Sequence, residues 1–560
     1  MPRTVRRLYS SFHPENYNLI LTLEPEKMSF SGQVVIDGLK VGRPSKRLTF
    51  HQKGLKIKSA KVTLINTKGD KELKVARLNY QKSFDEVRLH FNELLHAGRY
   101  RIEFEYTGEI NSQLHGIYAS SFKDGAKQKT IICTQFESHY AREAFPCIDE
   151  PEAKAVFNLT LKTQADLTTV ISNTDPSKSE KTGKRLVTKF EPTPKMSSYL
   201  LAFVAGDLKY LETKTKHGVR VRTYATPANV NYTKFALDCA AKTLDFYDEY
   251  FAINYPLGKC DLIALPDFAS GAMENWGCIT FREQAMLVDP NNTSLDLKVY
   301  IANVVAHELT HQWFGNLVTM RWWNDLWLNE SFASWMSYLA VDHLFPDWKV
   351  WTQFTVDEQG PGLKLDSLDN THPIEVKINN PEEIRTVFDS ISYEKGASVI
   401  TMLHDYLGSE VFRDGIRLYL SQHTYANTNT TDLWKALEEV SSKPVEQFMS
   451  RWTTTAGYPL LKVIYQEGAI HLEQQRFYLN PLSEKDNRLW PIPLFSDLEL
   501  GKNDPFAHRA VNLSLSAQPA SSLLNKGRRG FYRVIYDDQT VSAALGADFM
   551  DRVADVDRLG

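Results

Sequence analysis

The period of the hydrophobic residues changes twice along the chain, and this change constrains the fold more than any other feature. In the first part of the sequence apolar residues alternate with polar ones, as at Ile102, Phe104 and Tyr106, which is typical of half-buried strands. The segment around Leu244 has a helical period instead, which continues with one strand-like interruption at 260–265, and alternation returns at Leu461. The pattern therefore predicts two β-rich regions with a helical region between them.

We predict a multidomain α+β protein whose boundaries fall where the period changes. A length of 560 residues agrees with three or four domains of ~150 residues each. The predicted parts are an N-terminal antiparallel β domain at 1–207, a mainly helical domain at 208–456, a small C-terminal β-sandwich at 457–540 and the start of a further helical domain at 541–560.

Charge and composition exclude several classes of function. The 65 Lys and Arg residues balance 68 Asp and Glu residues, for a net charge of −3, so a nucleic-acid partner is not expected. The five cysteines are widely spaced and form no CxxC pair, which argues against a disulfide framework and a cysteine zinc site. The sequence shows neither a signal peptide nor an apolar run of ~18 residues. We therefore expect a cytoplasmic protein with no membrane partner.

The strongest chemical signal is the run His307-Glu308-Leu309-Thr310-His311, which lies in a segment of helical period. Residues i and i+4 share one face of a helix, so both imidazoles can bind the same metal ion. Glu308 would project beside that ion, where its carboxylate can accept a proton from water. This HExxH arrangement is typical of zinc-dependent hydrolases.

A third metal ligand is predicted downstream, because a catalytic zinc ion needs three protein ligands and one open position. Eighteen residues separate His311 from Glu330, which lies in a second segment of helical period. Glu330 would complete a His-His-Glu site for one Zn²⁺ per chain, and Asn329 could orient an imidazole. The apolar neighbours of Glu330 favour this role over that of a surface carboxylate, because an unpaired buried charge is costly.

Five segments carry motifs in a fixed order. They read QFE and then FPCIDEP within 135–151, GAMEN at 271–275, HELTH at 307–311, WLNESFA at 327–333 and ISYEKGA at 391–397. Together they resemble the gluzincin zinc aminopeptidases of the aminopeptidase N family, with Ser331 where that family usually has glycine. The resemblance extends from about residue 14 to residue 560, and the start is most similar to the intracellular puromycin-sensitive branch.

The resemblance implies a thermolysin-like catalytic domain and roles for residues outside the metal site. Tyr393 would donate a hydrogen bond to the oxyanion of the reaction, while Glu274 and Glu137 would bind the free α-amino group of a peptide. Gln135 would line the pocket for the first substrate side chain. The expected substrate-binding residues are Gln135, Glu137, Gly271, Ala272, Met273, Glu274 and Asn275.

The predicted function is that of a zinc aminopeptidase acting on peptides with a free N-terminus, with Glu308 as general base. One alternative is an epoxide-hydrolase-like bifunctional enzyme, against which the GAMEN spelling argues. The other is a catalytically silent peptide-binding protein, although all the expected reacting residues are present. Members of the family usually continue into a large C-terminal helical domain. We therefore expect that domain to be missing through truncation or to be supplied by a separate chain.

Overall fold

The computed structural model describes residues 5–67, 69–466, 468–480, 486–496, 505–514, 523–537 and 553–559. The chain divides into two compact units. Unit 1 comprises Met1–Trp323, Asn379–Pro381 and His423–Asn427, and unit 2 comprises Asn324–Ile378, Glu382–Gln422 and Thr428–Gly560. The domain boundaries given above remain predictions, and most of the range 541–560 lies outside the described residues.

Strands make up most of the N-terminal part of the chain and return in its C-terminal part. They are β1 (Phe12–Glu24), β2 (Ser29–Lys40), β3 (Ser45–His51), β4 (Lys56–Leu64), β5 (Lys71–Leu73), β6 (Arg77–Gln81), β7 (Glu86–Leu95), β8 (Gly98–Glu109), β9 (Gly116–Asp124), β10 (Lys127–Gln135), β11 (Val156–Gln164), β12 (Thr169–Ser172), β13 (Pro176–Thr182), β14 (Arg185–Phe190), β15 (Phe203–Gly206), β16 (Lys209–Lys214), β17 (Arg220–Ala225), β18 (Lys259–Leu265), β19 (Ala272–Met273), β20 (Cys278–Arg282), β21 (Thr319–Met320), β22 (Asn427–Thr428), β23 (Pro459–Gln466), β24 (Ala469–Arg476), β25 (Ala510–Ser514) and β26 (Arg533–Tyr536).

The α-helices lie mainly in the second half of the chain. They are α1 (Lys234–Phe251), α2 (Leu295–Thr310), α3 (Trp327–Leu344), α4 (Val350–Phe354), α5 (Gly360–Asp366), α6 (Gly396–Leu407), α7 (Ser409–Gln422), α8 (Thr430–Ser441), α9 (Val445–Thr454) and α10 (Asp555–Arg558). Together with the strands they confirm the mixed α+β class, with a β-rich N-terminal region followed by a helical one. Among the helices of the described ranges, none is both long and apolar enough to cross a membrane.

The N-terminal part of unit 1 contains three sheets. Their strand orders are β13-β14-β11-β1-β2-β8-β4-β5, β12-β15-β10-β9 and β3-β7-β6. Tyr100, Ile102, Phe104 and Tyr106 of β8 are all buried, as their alternation predicts. Pairing in the largest sheet is antiparallel except between β1 and β11, which run parallel. A parallel neighbour needs a long crossover connection, so the local sequence pattern does not reveal this pair.

A five-stranded sheet of order β16-β17-β18-β20-β19 completes the strand-rich part of unit 1. From sequence we expected a single strand-like segment here, at Cys260–Leu265, within a helical domain. That strand is present as β18, but its neighbours β16, β17 and β20 were not expected, and four of the five residues of β20 are buried. A strand covered on both faces has no polar-apolar alternation to detect. In the same unit, α1 packs against β16 and β17.

Unit 2 is built on a buried helix. Fourteen residues of α3 are buried, so this helix is covered on nearly all sides, and it packs against α6 and the turn at Ile391–Lys395. A four-stranded sheet of order β25-β24-β23-β26 follows the helices. The return of alternation at Leu461 therefore does mark strands, while the β-sandwich itself remains a prediction.

Candidate active site

The two predicted histidine ligands lie at the C-terminal end of α2. The helix begins at Ser294, whose hydroxyl caps it by accepting a hydrogen bond from the backbone N–H of Leu297 at 3.3 Å. At the other end, the backbone N–H of His311 donates to the carbonyl oxygen of His307. This last turn brings the two imidazole Nε2 atoms to 3.1 Å from each other, as the i, i+4 spacing requires.

His311 is prepared to bind a cation through Nε2. Its side chain is buried, and its Nδ1 lies 2.9 Å from the carbonyl oxygen of Phe314. A carbonyl can only accept a hydrogen bond, so Nδ1 carries the proton and Nε2 keeps its lone pair. Metal-binding histidines generally make this second hydrogen bond, which fixes the tautomer and the ring orientation.

Glu330 occupies the first turn of α3 and is only 3% exposed. His307, His311 and Glu330 each offer one ligand atom, and these atoms all lie within 4.8 Å of one another. Two zinc-ligand bonds of ~2.1 Å span at most ~4.2 Å. At the tetrahedral angle two ligand atoms are about 3.4 Å apart, close to the 3.1 Å between the two imidazole Nε2 atoms, so the donor set fits zinc. The neighbouring Asn329 is also buried.

The backbone carbonyl groups of Glu308 and Glu274 both accept hydrogen bonds from amide side chains that follow α2. Glu308 is 6% exposed, and its carbonyl oxygen accepts a hydrogen bond from Gln312 Nε2 at 2.9 Å. The carbonyl oxygen of Glu274 accepts from Gln312 Nε2 at 3.3 Å and from Asn316 Nδ2 at 2.9 Å. These two amides therefore fix the GAMEN segment against the residues that follow HExxH.

The sequence interpretation missed Gln312 and Asn316. Both are buried, and they stand among the apolar residues Trp313, Phe314 and Leu317. Two amide side chains in such surroundings must find hydrogen-bond partners inside the protein. Their position directly after HExxH was the signal that could have identified them as residues that support the site.

The GAMEN segment forms an edge strand. Within β19, Ala272 pairs with Phe281 and Met273 with Thr280 of β20, and β19 ends the five-stranded sheet. Beside it, Gly271 accepts a hydrogen bond from the backbone N–H of Arg282 at 2.9 Å. Asn275 Nδ2 donates to the hydroxyl of Thr280 at 3.2 Å, which holds the turn after the strand. The other edge of β19 is unpaired among the strands of the described ranges.

Gln135 and Glu137 lie at the end of β10. Gln135 is the last residue of this strand and pairs with Gly116 of β9, and Glu137 follows two residues later. Both side chains are half-buried. Their contact with substrate remains a prediction.

Tyr393 belongs to the turn Ile391–Lys395, which has π-helical hydrogen bonds. Its backbone N–H donates to the carbonyl oxygen of Asp389 at 3.1 Å. The Oδ1 atom of Asp389 accepts from the N–H groups of Ile391 and Ser392 at 2.9 and 3.3 Å. Short π-helical turns occur often at functional sites, and here Asp389 fixes the start of the turn.

Asp389 is itself held by His372. The Nε2 atom of His372 lies 2.7 Å from Asp389 Oδ2. This hydrogen bond raises the pKa of His372 above its usual value. Burial alone would raise the pKa of Asp389, but the hydrogen bond and the charge of His372 outweigh it and lower that pKa. The pair is therefore an ion pair when His372 is protonated.

Lys395, at the end of the same turn, forms a fully buried ion pair. Its Nζ lies 2.8 Å from Asp366 Oδ2, and both side chains are 0% exposed. Nζ also donates to the carbonyl oxygens of Thr455 and Gly457, each at 3.3 Å. Burial lowers the pKa of Lys395 although Asp366 opposes the shift. Removing either charge would leave the other buried without its partner.

Ser331, the departure from the usual motif, connects α3 to the Tyr393 turn. Its hydroxyl donates to the carbonyl oxygen of Ser392 at 2.5 Å. Gly396 lies so close that a Cβ atom there would be 1.9 Å from Ser331 Oγ. The serine is therefore accommodated by the glycine opposite, and it joins the residue after Glu330 to the residue before Tyr393.

Two interacting carboxylates, Glu358 and Glu394, lie at the turn Ile391–Lys395, to which Glu394 itself belongs. Glu358 Oε1 accepts a hydrogen bond from the hydroxyl of Tyr338, a residue of α3, at 3.1 Å. Burial and the nearby charge of Glu394 raise the pKa of Glu358 to about 7. Burial likewise raises the pKa of Glu394, with a smaller contribution from Asp389. The carboxyl of Glu358 therefore changes its charge near neutral pH.

Comparison with known proteins matches most of the chain to one family of peptidases. The profile of the peptidase M1 N-terminal domain matches residues 13–200, and that of the peptidase family M1 domain matches residues 235–452. The chain is 39% identical to aminopeptidase M1 of Arabidopsis thaliana, over 98% of this chain and 64% of that protein. It is 41% identical to the puromycin-sensitive aminopeptidase of Caenorhabditis elegans, over 99% of this chain and 59% of that protein.

A bacterial relative is similar to the same extent. Aminopeptidase N of Lactococcus lactis subsp. cremoris is 42% identical, over 88% of this chain and 56% of that protein. The chain thus spans about three fifths of the length of these curated relatives, which are all named as aminopeptidases.

Proposed function

The chain belongs to the peptidase M1 family, and from this we propose that it is a zinc aminopeptidase that hydrolyses the N-terminal residue from peptides. The observation that carries the proposal is the group His307, His311 and Glu330, whose ligand atoms lie within 4.8 Å of one another. Two imidazoles and one carboxylate are the ligand set of several catalytic zinc hydrolases. The names of the relatives support the choice of an aminopeptidase within that class.

The protein groups around the metal site divide the work of peptide hydrolysis. The chemistry that a bound zinc ion supplies is Lewis-acid activation of water and of the peptide carbonyl. Glu308 accepts the proton of the attacking water and later transfers it to the leaving amine, as a general base and then a general acid. Tyr393 donates a hydrogen bond from its hydroxyl group to the developing oxyanion. Ser331 supports this role by fixing the turn that carries Tyr393.

Binding of the N-terminus is assigned to two carboxylates, one directly after the edge strand β19 and one after β10. A free α-amino group is cationic near neutral pH, so Glu274 and Glu137 would bind it by charge-assisted hydrogen bonds. The unpaired edge of β19 would receive the extended backbone of the substrate. Gly271, Ala272, Met273 and Asn275 shape this edge, and Gln135 lines the pocket for the first side chain. Peptides with a free N-terminus are therefore the proposed substrates.

The finer architecture belongs to the same proposal. It includes a thermolysin-like catalytic domain at 208–456, a β-sandwich at 457–540 and the N-terminal β domain at 1–207. A cytoplasmic location is also proposed from the sequence. A nucleic-acid partner is not proposed, because the charges of the whole chain nearly balance.

Metal analysis combined with an aminoacyl-anilide assay tests the proposed function. The wild-type protein should bind one zinc ion per chain and release aniline from leucine anilide. His307→Ala should lose both properties. Protein that is active without any metal would contradict the proposal. A zinc-loaded protein that binds peptides without cleaving them would instead be a silent binding protein, and one that opens an epoxide but leaves the anilide intact would be an epoxide hydrolase.

A further inference from the structure

A basic pocket lies in the N-terminal β region of unit 1. Its volume is about 480 Å³, and its walls are the segment before β1, the connection from β2 to β3, and parts of β3 and β7. The cationic side chains that line it are Arg6, Lys40, Arg43, Arg47 and Arg88. The lining contains one carboxylate, Glu86, whose Oε2 binds Arg88 at 2.7 Å. None of these residues belongs to the proposed active site.

Strand register explains why the cations share one wall. Thr49 of β3 pairs with Arg88 of β7, and Arg47 pairs with His90. Residues that alternate along a strand point to the same face of the sheet, so Arg47 and Arg88 are diagonal neighbours. The residues in between, such as Leu48 and Leu89, are buried on the other face. The core packing of this sheet thus fixes the basic face of the pocket.

Apart from Arg88, which pairs with Glu86, the cations of the pocket have no carboxylate partner within the described ranges. Arg6, Arg43 and Arg47 form no ion pair within the described ranges of the chain. Lys40 is 3% exposed, and its Nζ donates to the carbonyl oxygen of Arg43 rather than to a carboxylate. Burial, followed by the charge of Arg88, lowers the pKa of Arg47. The fold therefore keeps like charges close together, which costs free energy. A bound anion would offset this cost.

We propose that this pocket binds a small polyanion that carries two or more phosphate groups. Five cations and one carboxylate leave a charge of +4 at the pocket, whereas one phosphate group carries about −1.5 to −2 at pH 7. One arginine guanidinium group can donate two parallel hydrogen bonds to two oxygens of the same phosphate group. This geometry gives the site its preference for phosphate. The volume falls in the usual range of small-molecule sites, ~300–1,000 Å³. The buried side chains of Leu8 and Phe12 add apolar surface to the lining of the pocket.

Titration calorimetry with sodium tripolyphosphate tests the site on the whole chain. The wild-type protein should bind one tripolyphosphate per chain, more tightly at low than at physiological ionic strength. Inorganic monophosphate should bind at least tenfold more weakly. The double variant Arg43→Gln/Arg47→Gln should weaken tripolyphosphate binding by roughly tenfold or more, because it removes two charge-assisted contacts.

The matched control is Lys56→Gln/Lys58→Gln, which removes two charges from exposed positions of β4 outside the pocket. This control should change the affinity for tripolyphosphate by less than about twofold. If the double variant Arg43→Gln/Arg47→Gln fails to fold, the single variant Arg43→Gln takes its place in the test. Absence of binding at low ionic strength would overturn the proposal. Equal weakening by both double variants would also overturn it, since diffuse surface charge would then explain the binding. Equal affinity for monophosphate would overturn the assignment to polyphosphates.

Competition by ATP and by inositol hexakisphosphate distinguishes a linear from a ring-borne polyphosphate. Displacement of tripolyphosphate by either compound supports the site. Failure of both to compete would contradict it, because each carries the phosphate groups that the pocket is proposed to bind.

Discussion

The edge strand around Glu274 and the turn around Tyr393 hold their functional residues by different forces. The strand is fixed by neutral amides, since Gln312 and Asn316 both donate to the carbonyl oxygen of Glu274. The turn is fixed by charged groups, among them the buried pair of Lys395 with Asp366. Amides do not titrate, whereas charged pairs respond to pH and are costly when broken. The two regions should therefore respond differently to substitution and to pH.

The largest effect is expected for Glu308, which takes part in the reaction itself and does not merely hold the edge strand or the turn in place. Glu308→Gln should keep zinc, because His307, His311 and Glu330 are unchanged. It should lower kcat by ~10²–10⁴-fold, the usual contribution of general acid–base catalysis. Zinc content and kcat measured on the same preparation check this. A variant with nearly wild-type kcat would show that another group is the base.

The next largest effect is expected for the buried charges around the turn. Lys395→Met leaves Asp366 buried without its partner and should destabilise the protein by ~3–5 kcal/mol. Urea unfolding monitored by fluorescence would measure this difference. The double variant Lys395→Met/Asp366→Leu removes both charges and should recover much of the loss. If Lys395→Met alone were harmless, the turn would not depend on this ion pair.

A smaller, pH-dependent effect is expected at Glu358. Its pKa is about 7 in the folded protein, above the usual value of ~4.3 that it has when unfolded. The folded state therefore holds the proton more tightly. Its stabilising effect is complete below the unfolded pKa and is lost as pH rises through the folded pKa.

Glu358→Gln cannot lose that proton, so its stability relative to wild type should increase as pH rises from 4.5 to 7.5. The slope of this difference should not exceed ~1.4 kcal/mol per pH unit. Thermal or urea unfolding at several pH values measures it. The exposed Glu439→Gln on α8 is a matched control and should show no such slope. A pH-independent difference for Glu358→Gln would mean that Glu358 keeps an ordinary pKa.

The smallest effect is expected at the edge strand. Asn316→Leu removes one of the two amides that bind the carbonyl oxygen of Glu274, and Gln312 still satisfies it. The loss of stability should be ~1 kcal/mol and the same at pH 6 and pH 8, because no titrating group is involved. A strong dependence of this loss on pH would remove the proposed contrast between the two regions.

The sequence predicted the group of three metal ligands better than the residues that hold the surrounding segments. HExxH and the carboxylate eighteen residues later follow fixed spacings on helices, and the structure places the three ligand atoms within 4.8 Å. The alternation in β8 likewise predicted a strand. Hydrogen bonds such as that from Asn316 to Glu274 join residues 42 positions apart. Such contacts depend on tertiary packing, which a local pattern does not contain.

The same limit explains what was missed in the fold. The segment 260–265 was expected to be a strand, but its neighbours β16, β17 and β20 were not. Four of the five residues of β20 are buried, so no alternation distinguished it from a buried helix. The parallel pairing of β1 with β11 depends on a long crossover. The ion pair of Asp366 with Lys395 was equally hidden, because neither residue lies in a pattern that predicts burial.

The central claim is that the carboxylates of Glu274 and Glu137 select a free N-terminus beside the metal. The most direct measurement compares zinc-loaded protein acting on one peptide with and without N-terminal acetylation, with products identified by mass spectrometry. Acetylation removes the cation that Glu274 and Glu137 would bind, so only the free peptide should be shortened, one residue at a time from its N-terminus. Equal cleavage of both peptides, or cuts at internal bonds, would contradict the account and indicate an endopeptidase.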